Sequence, residues 1–154
     1  MTLASATYGE GPPLLIAHGL YGSARNWGVI AKRLSDRHAV TAVDMRNHGD
    51  SPWFDTHSYD DMAGDLAPFA GGDVLGHSMG GKAAMVLALT QPNRVTRLVV
   101  ADIAPVTYGH SQQIYIDAMR KVDLTRIEMR SDADAQLAEY VDDPGIRAFL
   151  LQSL

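Results

Sequence analysis

Cysteine is absent from all 154 residues, which excludes disulfide frameworks, cysteine-ligated zinc and thiol nucleophiles. No basic run exceeds two residues, and 18 acidic against 13 basic side chains leave a net charge of −5. The phosphate backbone of a nucleic acid therefore has nothing continuous to bind, and nucleic-acid partners are not expected. The longest apolar run, residues 83–89, falls far short of the roughly 20 residues that cross a bilayer, so no membrane span is expected. The first ten residues lack both a basic start and an apolar core. Neither a signal nor a transit peptide is read there, and the expected location is cytoplasmic. Glycine and proline are scattered, which excludes collagen-like and low-complexity chains. What is present, 46% hydrophobic and 20% charged, is the balance of an ordinary globular domain that needs no disulfide or metal staple.

Residues 3–8 predict an edge strand, ended by Gly9-Glu10-Gly11-Pro12-Pro13. The apolar run Leu14-Leu15-Ile16-Ala17 predicts a buried strand. Trp27, Ile30, Ala31 and Leu34 follow at helical spacing, and residues 39–43 predict a second buried strand ending at Asp44. Ser58-x-x-Asp61 has the form of a capping box, ahead of the helical stripe Tyr59, Met62, Leu66 and Phe69. Asp73-Val74-Leu75 predicts a short strand, residues 79–91 a helix closed by Pro92, and residues 97–101 an apolar strand ending at Asp102. Strands that alternate with helices imply a mostly parallel sheet covered by helices on both faces, a three-layer α/β architecture.

Beyond Pro105 the apolar residues recur only at helical spacing. Ile114, Ala118 and Val122 mark one helix, Leu137, Ala138 and Val141 a second, and Ile146, Phe149 and Leu150 a third. Ser131-x-x-Asp134 is expected to cap the second, and Asp143-Pro144 to open the third. The chain thus divides into a core over residues 1–104 and a helical segment over 105–154, whose last residues read as an interrupted helix.

The chemistry concentrates in Gly76-His77-Ser78-Met79-Gly80-Gly81, a G-x-S-x-G between a predicted strand and a predicted helix. In that context the serine sits on a strained turn that pushes its hydroxyl outward. Gly76 and Gly80 are needed because side chains there would meet neighbouring backbone. His18-Gly19-Leu20 ends the first buried strand. The Leu20 and Met79 N–H groups are read as the two donors of an oxyanion hole, the second aided by the positive end of its helix. His18 itself is read as a structural residue that holds this loop.

Two other chemistries are weighed against this one. Gly76-x-x-x-x-Gly81-Lys82 matches a phosphate-binding loop, but Ala83 stands where that loop needs a magnesium-ligating hydroxyl. Residues 44–52, Asp44-Met45-Arg46-Asn47-His48-Gly49-Asp50-Ser51-Pro52, gather two carboxylates and an imidazole, but Arg46 would repel a cation. A hydrogen-bonded structural loop is the better account, and no metal site is expected.

With these residues in view, the chain resembles the α/β-hydrolases, and among them the small bacterial acyl-ester hydrolases related to mitochondrial abhydrolase-domain proteins. The resemblance rests on H-G-L-Y-G-S with N-W at residues 18–27, D-M-R-N-H-G-D-S-P at 44–52, G-H-S-M-G-G-K-A at 76–83 and A-D-I-A-P at 101–105. It spans this chain but only the first part of the family pattern, so the later strands are missing and residues 105–154 correspond to the start of a helical cap that would form the acyl pocket. The resemblance implies an esterase or thioesterase acting on a small-molecule acyl ester or thioester, without metal or organic cofactor. It makes Ser78 the nucleophile, Leu20 and Met79 the oxyanion donors, and Asp102 the triad acid. The family's histidine lies in a segment without counterpart here; His77 is expected to point away, His38 and His57 lie in connecting loops, and only His110 follows Asp102.

A serine without a base is a weak nucleophile. The expectation is therefore a truncated hydrolase of impaired activity; the alternative is a catalytically dead hydrolase fold serving as a binding or scaffold protein. Two structural expectations accompany it. The interval between Tyr59 and Asp73 is short for the family, which suggests a locally shortened sheet. Ile114, Val122, Leu137, Phe149 and Leu150 would be left on open surfaces, so self-association through the cap helices is expected.

Overall fold

Four strands lie parallel: β2 (Pro13–Ala17), β3 (Ala39–Val43), β4 (Gly72–His77) and β5 (Val95–Ala101). β1 (Ser5–Tyr8) closes one edge antiparallel to β3, and the sheet order is β1-β3-β2-β4-β5. The structure is a computed structural model that describes residues 2–109 and 111–154. It forms two compact units, Met1–Val106 and Thr107–Leu154.

The period of two along a strand sends alternate side chains to opposite faces of the sheet. Leu15, Ala17 and Val74 enter one core with Met62, Leu66, Met79, Ala83 and Leu87, from α2 (Tyr59–Leu66) and α3 (Met79–Thr90). Leu14 and Ile16 enter the other, with Val40, Ala42 and Ala31 of α1 (Gly28–Leu34), and Leu75 packs against it. Helices thus cover both faces of a mostly parallel sheet, the three-layer architecture that the alternating pattern implies.

Three local details depart from expectation. β4 has six residues, not three: Asp73–Gly76 pair with β2 on one side and Gly72–His77 with β5 on the other. Hydrogen bonds on both edges carry its glycines, Asp73 and His77 into the strand, so the sheet is not shortened there. Ahead of α1 the chain makes a 3-10 turn, Ala24–Trp27, which rotates the helical stripe and leaves Ile30 exposed while Ala31 faces the sheet. At α2 the capping box forms as read, with Ser58 Oγ accepting the Asp61 N–H at 3.1 Å, but Tyr59 is exposed.

Among the described residues of Thr107–Leu154 the regular elements are all helical, chiefly α4 (Gln113–Arg120), α5 (Arg130–Leu137) and α6 (Pro144–Leu150). They gather around Ala118, Ala133, Leu137, Val141 and Leu151. Leu137 and Leu150, expected on open surfaces, are buried in the structure; Ile114 is 65% exposed. Ser131 lies inside α5, and the cap is instead Asp132, whose carboxylate reaches back to accept the Glu128 and Met129 N–H groups at 3.0 and 2.9 Å. Asp143 accepts the Gly145 and Ile146 N–H groups at 2.7 and 3.0 Å, with Pro144 at the first helical position. After α6 the chain tightens into a 3-10 turn, Leu151–Ser153.

Candidate active site

Ser78 has to leave a strand and enter a helix within one residue. Its N–H still donates to Ala101 O (3.0 Å), which extends the β4–β5 pairing, while its carbonyl already accepts the Lys82 N–H at 3.1 Å as part of α3. The cost is a backbone at φ 50°, ψ −116°. A non-glycine residue held in so sparsely populated a region costs about 1–3 kcal/mol, and the neighbouring glycines make it sterically feasible. A Cβ on Gly76 would stand 2.5 Å from Gly80 O, and one on Gly80 would stand 2.4 Å from Ala17 O. These collisions with backbone are the reason the motif carries glycine at both places.

The loop after β2 lies directly against Ser78. A Cβ on Gly19 would come within 3.1 Å of Ser78 Cβ and 2.9 Å of His77 Nδ1. Gly22 N–H donates to Gly19 O (3.0 Å), which closes a turn in which Tyr21 takes φ 62°. Leu20 packs against the core cluster that contains Met79. Among the described residues no hydrogen bond uses the Leu20 N–H. The same holds for the Met79 N–H, which as a first-turn helix donor has no intrahelical acceptor.

Asp102 directly follows β5 and takes φ 56°. Its side chain is 87% exposed, and its Oδ2 stands 3.7 Å from His77 Nε2. His77, expected to point away from the nucleophile, has its ring between Asp102 and Gly19, with the Trp27 ring 5.9 Å off. No hydrogen bond links Ser78 to a described histidine. His110 lies outside the described residues.

Two histidines instead tie loops together. His18 is buried; Met45 N–H donates to its Nε2 (2.9 Å), so Nδ1 carries the proton and donates to Gly19 O at 2.7 Å. Burial lowers its pKa to about 4. His48 is bound in the same sense, with Tyr21 N–H donating to Nε2 (3.2 Å) and Nδ1–H donating to Arg46 O (2.8 Å). Burial lowers its pKa as well, and that of His57, which stacks on it at 5.7 Å. Sequence reasoning missed His48 and Tyr21. Their partnership spans 27 residues, and no local pattern announces it.

Most of the other polar groups of residues 44–52 are engaged within the protein, among them Asn47 and Ser51. Asp44 accepts the Ala24 N–H (2.7 Å) and the Asp50 N–H (2.9 Å), and Arg46 is buried against Asp65 (2.6 Å) and Asp61 (3.3 Å). Among the described residues no group of three or more histidine and carboxylate side chains is arranged to hold a metal. No helix there is long and apolar enough to cross a membrane.

Ser78 thus stands strained at the carboxyl end of a parallel strand, with Asp102 directly after the next one. The chain belongs to the alpha/beta hydrolase family, whose profile matches residues 14–152. It is 43% identical to the sn-1-specific diacylglycerol lipase ABHD11 of Danio rerio, over 95% of this chain and 50% of that protein. It is 38% identical to esterase YbfF of Escherichia coli, over 92% of this chain and 58% of that protein. A solved structure, a marine microorganism esterase, superposes with a TM-score of 0.92 at 41% identity, covering 98% of this chain and 63% of that one. The chain spans about half the length of the curated relatives it matches.

Proposed function

We propose that this chain carries the nucleophilic centre of a carboxylic-ester or thioester hydrolase that works through an acyl-enzyme. The observation that carries the reading is Ser78, held at φ 50° beside two N–H groups that no hydrogen bond among the described residues uses. Strain of this kind survives only where the surrounding fold enforces it, and it concentrates at functional sites. Two relatives bear the names esterase and diacylglycerol lipase, which supports a small-molecule acyl ester as substrate. In this reading Ser78 Oγ attacks the acyl carbonyl, and the Leu20 and Met79 N–H groups hold the resulting oxyanion, the latter at the positive end of α3. In the family pattern Asp102 orients a general-base histidine that takes the serine proton, a part that none of the described histidines fills, and water then releases the acid. Every step is acyl transfer between these groups, and the reading assigns no role to a metal or organic cofactor. Residues 1–104 act as the catalytic core and residues 105–154 as a helical cap segment.

Impaired turnover of the chain by itself is part of the proposal. Both ring nitrogens of His18 and of His48 are committed to backbone partners, and His77 faces Asp102. The same observation favours the second reading, a hydrolase fold that binds without turnover. A fluorophosphonate probe separates the two. Ser78-dependent labelling, lost in Ser78→Ala and accelerated by added imidazole, supports the hydrolase centre. Labelling that persists in Ser78→Ala, or a folded chain that never labels, leaves the binding reading.

A further inference from the structure

We propose that His48 is the positioning residue of the Gly19–Leu20 turn, accepting the Tyr21 N–H and thereby keeping the Leu20 N–H beside Ser78. The turn is strained, with an aromatic residue at φ 62°, and two imidazoles bind its backbone. One is His18, which donates to Gly19 O; the other is His48, which accepts from Tyr21 N. The two imidazoles are exchanged between loops. His18, at the end of β2, receives the Met45 N–H from the loop after β3, while His48, in that loop, receives the Tyr21 N–H from the loop after β2. Their rings meet edge to face at 5.2 Å. Because Tyr21 N–H can only donate, His48 Nε2 has to keep its lone pair, and the proton sits on Nδ1 against Arg46 O.

This neutral tautomer is what holds the turn. A proton added at Nε2 would set two donors head to head and release Tyr21, whose backbone would then relax toward negative φ. The groups facing His48 are His18 from the loop after β2, His57 from the segment before α2, and Asp44 and Arg46 from its own loop. Asp44 favours the imidazolium, but burial outweighs it and keeps the ring neutral at neutral pH. The Arg46 guanidinium is occupied by Asp65 and Asp61, and Arg46 offers His48 only its backbone carbonyl. His57, stacked on His48 at 5.7 Å, is exposed.

The inference rests on the proposed oxyanion role of Leu20, and the test separates the two. Tyr21 amide exchange and the ring-nitrogen NMR shifts of His48 are followed from pH 8 to 5 in the whole chain, together with the rate of fluorophosphonate labelling. Expected are an Nδ1–H tautomer at pH 8, loss of Tyr21 protection on the titration of His48, and labelling that slows with the same midpoint. His48→Phe should raise Tyr21 exchange and slow labelling, each by about tenfold or more, and His48→Gln, which retains an acceptor, should restore both and remove the midpoint. An Nε2–H tautomer, or Tyr21 protection that does not follow the His48 titration, overturns the proposal even if His48→Phe fails to fold. A Tyr21 response with labelling absent at every pH sustains the positioning of the turn and sinks the hydrolase reading.

Discussion

Met1–Val106 and Thr107–Leu154 reach stability by different routes. The first buries strands whose side chains serve two cores at once. It also holds all four described non-glycine residues with positive φ: Tyr21, Asn47, Ser78 and Asp102. Each of these follows a parallel strand, where the polar loops of such sheets gather. The second relies on short-range devices, carboxylate caps at Asp123, Asp132 and Asp143 and one small apolar cluster. Strain is tolerated where long-range packing over-determines the backbone, and it is absent from the described residues of the segment built from local contacts. A site that needs strained residues therefore belongs on the sheet.

The comparison predicts large effects where backbone meets backbone and small ones where a cap is removed. Gly80→Ala should be the most damaging change, since its Cβ would lie 2.4 Å from Ala17 O and 2.5 Å from His18 O. A loss above about 3 kcal/mol, at the upper end for overpacking, is expected in urea unfolding. A loss below about 1 kcal/mol would show that the elbow is softer than its contacts imply.

Acid should act on the sheet unit through His18, whose pKa is about 4 in the fold and 6.5 as the ordinary value. Above pH 6.5 the ring is neutral in both states and contributes no pH dependence. Between pH 6.5 and about 4 the unfolded chain takes up the proton first, so stability falls as pH falls, by about 3 kcal/mol in total. Following the His18 ring proton by NMR checks this directly. A midpoint near 6.5 would mean that the ring is not sealed between Gly19 and Met45.

In the helical unit, Asp143→Ala removes the acceptor of two N–H groups at the start of α6. It should cost about 1 kcal/mol, visible as faster amide exchange in α6. A loss as large as that of Gly80→Ala would erase the contrast between the units. The smallest effect sharpens the glycine argument. Gly64 lies in α2, where an added Cβ would meet nothing within 4 Å, so Gly64→Ala should stabilise by up to about 1 kcal/mol. Destabilisation there would show that the helix meets something the sheet unit alone does not contain.

Much of this was legible because its causes are local. The run Leu14-Leu15-Ile16-Ala17, the Ser58 capping box, the Asp143-Pro144 opening and the glycines around Ser78 each encode their structure within a few residues, through period, hydrogen-bonding side chains or steric room. The oxyanion candidates Leu20 and Met79, the nucleophile candidate Ser78 and the acid candidate Asp102 were readable as strand ends for the same reason. Tertiary structure alone decided the strand order, the six-residue length of β4, the burial of Leu137 and Leu150, and the exchange of imidazoles between the loops after β2 and β3. Each of these depends on a partner far along the chain, whose hydrogen bonds and packing become available only once the sheet has brought the strand ends together.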